Sequence, residues 1–280
     1  MSISRVGEIT KDIIDAIDKI CKKHQVTHGE YRKAIDFIGE AIDKGERSLL
    51  FDAFLEANVV ASDPIKSSGT SPQVLGPFYL PDMPWVENNS LATDSEPGER
   101  ITLNGRVLNR NKETLGNAEL EFWQADAKGR YSNFDPGVAD GNLRGKTKAD
   151  ADGAFLLHTV RPAQYTIPDQ GPTGLLLSEI GRHSWRPAHF HVIVRHPGYK
   201  MLTTQIYFEG DEYLSSDAVR AASSDLAFPI VSKEEGASLN FDLVLESRYR
   251  SGNYSSSILK FRHPFLQSSR YRLHLVRASY

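Results

Sequence analysis

The period of the apolar positions changes along the chain. Over Ile9-Thr10-Lys11-Asp12-Ile13-Ile14-Asp15-Ala16-Ile17-Asp18-Lys19-Ile20 they recur at three and four, which predicts one stripe of an amphipathic helix. Thr27-His28-Gly29-Glu30 reads as a capping box, and the helix it opens is expected to bury Tyr31, Ala34, Ile35, Ile38 and Ala41. A third helix is expected from near Glu46, carrying Leu49, Leu50, Phe54, Leu55 and Val59. Three short helices bury little by themselves, so they are expected to pack on another domain or a second subunit. From Ser62 to about Glu99 the composition turns to Pro, Ser, Gly and Asp and helical periodicity ends. Inside this connector, Val74-Leu75-Gly76-Pro77-Phe78-Tyr79-Leu80-Pro81 is a tight apolar run: a hinge under a loop, or the wall of a pocket.

From Ile101 the signals are of β type. Strands are predicted at Ile101–Leu108, Ala118–Gln124, Ala154–Val160, His189–Arg195, Leu202–Phe208 and Leu239–Leu245, with turns at Asp152-Gly153 and Pro197-Gly198. Short strands without intervening helices predict an antiparallel sandwich or barrel. Ala127 to Gly145 and Arg161 to Gly181 are too long and irregular for hairpin turns, and long ordered loops on a β scaffold are where function is placed. The tail from Arg250 to Tyr280 is basic and aromatic, with Arg262, Arg270, Arg272 and Arg277.

Composition narrows the partners. With 280 residues, 40% hydrophobic and 25% charged, the chain can build a core. A net charge of -3 gives no electrostatic case for nucleic acid or an anionic membrane. Cys21 stands alone, which excludes an intrachain disulfide and cysteine-based zinc sites. The first residues contain no apolar signal core and no stretch approaches membrane-spanning length, so the cytoplasm is the expected location.

The chemistry centres on Arg186-Pro187-Ala188-His189-Phe190-His191-Val192-Ile193-Val194. As a strand it sends His189 and His191 to one face, about 7 Å apart along the chain, where two imidazoles can converge on one ion. By itself the pattern is also that of two unrelated histidines. Tyr131 and Tyr165 occupy the two long loops, and each alone is equally a loop anchor. Together the four make a set of two phenols and two imidazoles. Phenolate is a hard, strongly donating anion and favours a hard trivalent ion, and a bound cation can ionise a tyrosine whose pKa is about 10 in water. Iron(III) is the ion expected.

Tyr131, Tyr165, Arg186-Pro187-Ala188-His189-Phe190-His191 and Leu202-Thr203-Thr204-Gln205-Ile206 resemble the signature of intradiol ring-cleaving dioxygenases, in the branch that opens catechol, hydroxyquinol and chlorocatechol. Leu75-Gly76-Pro77-Phe78-Tyr79, Asn142-Leu143-Arg144-Gly145, Ala151-Asp152-Gly153 and Gly210-Asp211-Glu212-Tyr213-Leu214 extend the likeness, which runs to about Glu246. The resemblance implies a mainly β protein: an antiparallel β-sandwich catalytic domain over residues 76–250, preceded by an α-helical dimerisation and linker domain over 1–75. Residues 251–280 then form an extension of unassigned role. It implies non-haem Fe(III) on Tyr131, Tyr165, His189 and His191, with Tyr165 displaced by the diol and taking a substrate proton. Arg186 matches the arginine that stabilises negative charge on the ring, and Gln205 a glutamine near the iron.

The reaction so implied opens the ring between its two hydroxylated carbons with O2, giving maleylacetate from hydroxyquinol or cis,cis-muconate from catechol. The same resemblance implies a substrate pocket of Leu49, Asp52, Val74, Leu75, Gly76, Pro77, Phe78, Ile167, Pro168 and Val219, a homodimer through the helices, and a phospholipid held between them. Asp52 tips the expectation to hydroxyquinol, because a buried carboxylate needs a partner and a third ring hydroxyl provides one. Ile167-Pro168 and Asp217-Ala218-Val219 also look like the hydroxyquinol branch. Thr203-Thr204-Gln205 and Leu75 look like the catechol branch, so catechol or a substituted catechol is the alternative. A reading from another class is a transthyretin-like sandwich that binds a partner without metal chemistry. It has no need of the four donors together.

Overall fold

The structure, a computed structural model, describes residues 4–51, 55–62, 69–233 and 236–248. Helix α1 (Arg5–His24) starts where the Ser4 hydroxyl accepts the Gly7 amide, and Gln25 ends it in the left-handed region. Helix α2 (His28–Asp43) has both halves of the predicted capping box, Thr27 accepting the Glu30 amide and Glu30 accepting the Thr27 amide. The third predicted helix appears as α3 (Arg47–Phe51) and α4 (Ala57–Ala61), with Leu50 and Ala57 buried; Asp52 and Phe54 lie outside the described residues. The face expected to be buried is not covered by the described residues. No residue of α1 is buried, and Tyr31, Ile35 and Ile38 of α2 are exposed, leaving Ala41 as its one buried residue. Among the described residues no helix is long and apolar enough to cross a membrane.

Two five-stranded sheets follow. One runs β10 (Ile230–Lys233), β11 (Gly236–Asn240), β1 (Arg100–Asn109), β12 (Leu243–Leu245), with β4 (Ala154–Val160) also on β1. The other runs β3 (Arg144–Lys148), β2 (Glu119–Gln124), β7 (His189–Arg195), β8 (Leu202–Phe208), β9 (Ala227–Phe228). The expectation of a purely antiparallel arrangement needs correction. β1 pairs parallel with β11 and with β12, and β8 pairs parallel with β9, while the other ladders of these sheets are antiparallel. The strand predicted at Leu239–Leu245 is in fact two. The Phe241 carbonyl crosses over Gly105, where an added Cβ would lie 1.7 Å away, and the Arg106 amide donates to Asp242, so the ladder breaks and resumes.

Both sheets feed one core: Leu103, Phe155, Leu157 and Leu239 from the first meet Leu120, Phe122, Phe190, Val192 and Ile206 from the second. The alternation within β7 is decisive. Phe190, Val192 and Val194 enter that core, so His189 and His191 leave on the opposite face. On that face a separate cluster gathers Trp123, Tyr131, Tyr165, Ile167, Ile193 and Val219. The stretch Arg161 to Gly181 is not wholly irregular: it contains β5 (Tyr165–Thr166) and α5 (Pro172–Glu179).

Candidate active site

The loop before Tyr131 is built by one carboxylate. Asp126 Oδ1 accepts the amides of Lys128 and Arg130, and Oδ2 takes the Arg130 guanidinium at 2.7 Å, which folds the chain back on itself. Gly129 completes the turn at φ +78°, and a side chain there would sit 2.8 Å from both the Gln164 carbonyl and the Tyr165 Cβ. That close approach brings the two tyrosine loops together, and Ala163 donates to the Asp126 carbonyl across the seam. Tyr131 is then held by its amide on Asp135 at 2.6 Å. Tyr165 lies on β5, which pairs with β6 (Trp185–Arg186) so that Tyr165 faces Arg186 across the ladder. Asp211 ties the surrounding segments by accepting from Gln164, Ala188 and Tyr213.

The four predicted donors converge. The rings of Tyr131 and Tyr165 are 5.4 Å apart, Tyr165 and His189 5.7 Å, Tyr131 and His191 6.3 Å, and the two histidine Nε2 atoms 3.1 Å. His189 Nδ1 lies 2.8 Å from the Pro187 carbonyl, so that nitrogen carries the proton and Nε2 presents a lone pair to the site. Burial and then the Arg186 charge push the His189 pKa down to about 3, keeping the ring neutral. His191 is lowered too, by burial, His189 and Arg186, and is braced by Trp123, stacked at 4.6 Å. Burial, reinforced by Tyr165, raises the Tyr131 phenol well above its ordinary value.

These donors fit a cation. The Tyr131 hydroxyl is buried with no hydrogen-bond partner among the described residues, and His191 Nε2 meets only the Nε2 of His189. The His189 lone pair faces another imidazole nitrogen and a guanidinium. Among the described residues no three His, Cys, Asp or Glu side chains form a metal cage, so the phenols are needed to complete four donors. A hard trivalent ion would bind these phenol oxygens as phenolates.

Arg186 is buried beside them and every guanidinium nitrogen is engaged. Nε and NH2 donate to Asp217, NH2 also to Gln205 Oε1 at 3.0 Å, and NH1 points to the Tyr165 hydroxyl and His189 Nε2, each at 3.3 Å. Gln205 Oε1 also accepts from the Tyr207 hydroxyl at 2.7 Å, and its Nε2 donates to the Val74 carbonyl at 2.8 Å, joining this network to the connector.

Of the predicted pocket residues, Val74, Ile167 and Val219 are buried in the cluster with both tyrosines, and Leu49, Leu75 and Phe78 are half-buried against it. Phe78 stacks on Tyr131 at 4.1 Å, and Gly76 abuts His191. Pro77 and Pro168 are exposed, and Asp52 lies outside the described residues.

Two charged residues here had no role assigned from sequence. Asp217 partners Arg186; from sequence it counted only as part of Asp217-Ala218-Val219, a likeness to the hydroxyquinol branch with no role for the acid itself. Arg144 is buried, donating to the Ser132 hydroxyl and to the carbonyls of Ser132 and Phe78, and burial lowers its pKa to about 10. A basic residue at a strand start gives no hint of this from sequence.

A family model described as Dioxygenase matches residues 74–247, and one described as Catechol dioxygenase N terminus matches residues 4–70. Chlorocatechol 1,2-dioxygenase of Cupriavidus pinatubonensis is 34% identical over 242 residues, covering 86% of this chain and 95% of that one. Among solved structures, 3-chlorocatechol 1,2-dioxygenase of Rhodococcus opacus superposes with a TM-score of 0.82 at 33% identity, covering 88% of this chain and 100% of that one. Hydroxyquinol 1,2-dioxygenase of Pseudomonas putida superposes with a TM-score of 0.79 at 29% identity, covering 87% and 92%.

Proposed function

The chain belongs to the intradiol ring-cleavage dioxygenase family, and from that membership we propose that it opens a catechol whose ring substituent meets an apolar wall. The observation that carries the reading is the convergence of Tyr131, Tyr165, His189 and His191 beside a buried arginine. The family uses non-haem Fe(III), which, when bound by these four residues, supplies the charge that ionises the diol and prepares its ring for O2. Tyr131, His189 and His191 are the permanent holders. Tyr165, whose hydroxyl lies 3.3 Å from Arg186 NH1, would be the holder that yields its place to the diol and the group that takes up one of the diol's protons. Arg186 NH1 is the donor aimed at the reacting face; fixed and shielded from water, it stabilises charge developing on the ring without reorganising. Gln205 keeps NH2 turned away from that face.

Substrate choice rests on the walls. Leu49, Val74, Leu75, Ile167 and Val219 are all apolar, which suits hydrogen, methyl or chlorine on the ring. Hydroxyquinol is the second reading, resting on the acid at Asp52 and on the likeness to a solved hydroxyquinol 1,2-dioxygenase. The two sheets with a common core support the sandwich over residues 76–250, and the uncovered stripes of α1 and α2 support pairing of two chains through residues 1–75.

An oxygen-free titration of the purified iron protein with catechol, 3-chlorocatechol and hydroxyquinol tests the proposal. A wine-red tyrosinate-to-iron(III) band that shifts to longer wavelength with diol is expected, with the tightest curve for one of the two catechols. Tightest binding of hydroxyquinol would return the assignment to Asp52. A colourless protein with full iron occupancy would exclude the two-tyrosinate site.

A further inference from the structure

The two oxygens of Asp217 accept five hydrogen bonds. Oδ1 takes Arg186 Nε at 3.0 Å and the Val219 amide at 3.3 Å; Oδ2 takes Arg186 NH2 at 3.2 Å and the amides of Ala221 and Ala222 at 3.0 Å each. A carboxylate offers about four lone-pair sites, so this one is saturated. It is 3% exposed, and its charge opposes a guanidinium that is also 3% exposed, so the pair is dry and neutral overall. The loop it gathers holds Arg220 at φ +54°, a left-handed conformation that an L-residue adopts at a cost and keeps only where its surroundings enforce it. The same loop is docked on β6 through the Ala218 amide on the Trp185 carbonyl, and Arg182, ahead of that strand, donates to the carbonyls of Asp217 and Ala218. Val219 projects from it into the cluster around Tyr131 and Tyr165.

One side chain therefore fixes both the arginine that faces the ring and the wall that faces the ring substituent. We propose that Asp217 is a positioning residue that sets Arg186 and Val219 as a single unit, so that discrimination between substituted and plain catechols is coupled to the rate of ring opening. This rests on the functional reading above, because it takes Arg186 and Val219 as substrate-facing groups. Asn at this position keeps the shape but replaces an acceptor by a donor and removes the counter-charge. Glu keeps the charge but its longer stem cannot hold the arginine and three amides in the same places.

The test compares D217N, D217E and V219A with the unmutated protein on catechol and 3-chlorocatechol. Rates are normalised to bound iron, so that a lower folded fraction does not count. D217N is expected to lose at least tenfold in kcat, beyond any change in KM. D217E is expected to recover part of that loss. Both are expected to move the 3-chlorocatechol to catechol ratio of kcat/KM at least threefold, in the direction V219A moves it. D217E with an unchanged ratio overturns the proposal, whether or not D217N folds. A second readout needs no turnover. In iron-free protein, exchange of the Arg186 Nε proton with water, followed by NMR, should be at least tenfold faster in D217E. Slow exchange in that variant would show that the arginine is held without Asp217. If the unmutated protein opens no diol, the functional reading fails, and the exchange rates still decide whether Asp217 positions Arg186.

Discussion

At Gly76 the backbone has φ +74°, and an added Cβ would lie 3.3 Å from His191 Cε1. The residue is thus a glycine for two reasons, a left-handed backbone and an imidazole against it. Gly76→Ala is expected to lower stability by about 1 kcal/mol through the backbone and to tilt His191, reducing iron content at equal protein. Thermal melting of the iron-free form with metal analysis checks both effects, and unchanged iron content would show that the ring tolerates the methyl. Residue types in the site were legible where chemistry restricts them. Two tyrosines in long loops and a His-x-His strand form a set with few uses, and their convergence follows from strand alternation and a tight turn. Asp217 and Arg144 fell within stretches that carry the family likeness, but their roles in the site were not legible. An acid in a polar loop and an arginine at a strand start are normally solvated, and their burial appears only once the loop folds over Arg186 and the connector closes over Arg144.

Among the elements, α5 shows how the helical part reaches the catalytic part. Glu46, just before α3, accepts the Thr173 amide at 2.8 Å and so caps the first turn of α5. It can do so because Gly171 has no side chain: a Cβ there would lie 1.5 Å from the Glu46 carboxylate. Gly171→Ala and Glu46→Gln are each expected to cost about 1 kcal/mol, and the double variant less than their sum, because both act on one cap. Denaturant melts of the three variants give the coupling, and strict additivity would separate the two residues. The helix itself escaped the sequence reading, since Leu175-Leu176-Leu177 has no clear amphipathic period, although Pro172 at its first turn was a usable signal. Strands β4, β7 and β8 have the bounds that periodicity predicts. β3 was missed because Arg144-Gly145-Lys146-Thr147-Lys148 is polar and gains its place by pairing with β2.

At the scale of the whole molecule, the dominant fact among the described residues is an uncovered apolar stripe. Ile13, Ile14, Ile17 and Ile20 are 54%, 60%, 54% and 56% exposed, with Ile35 and Ile42 of α2 at 43% and 50%. A surface of this kind is expected to be met by the same surface on a second chain. The paired change Ile13→Asp and Ile17→Asp is expected to halve the mass seen by light scattering while the iron site keeps its absorption band. An unchanged mass would place the contact elsewhere. If two chains do meet there, the first helix is completed by an encounter. Its ordering is then a second-order event, set by how often chains collide. Dilution would loosen this end of the molecule while leaving intact the core in which the two sheets of one chain meet.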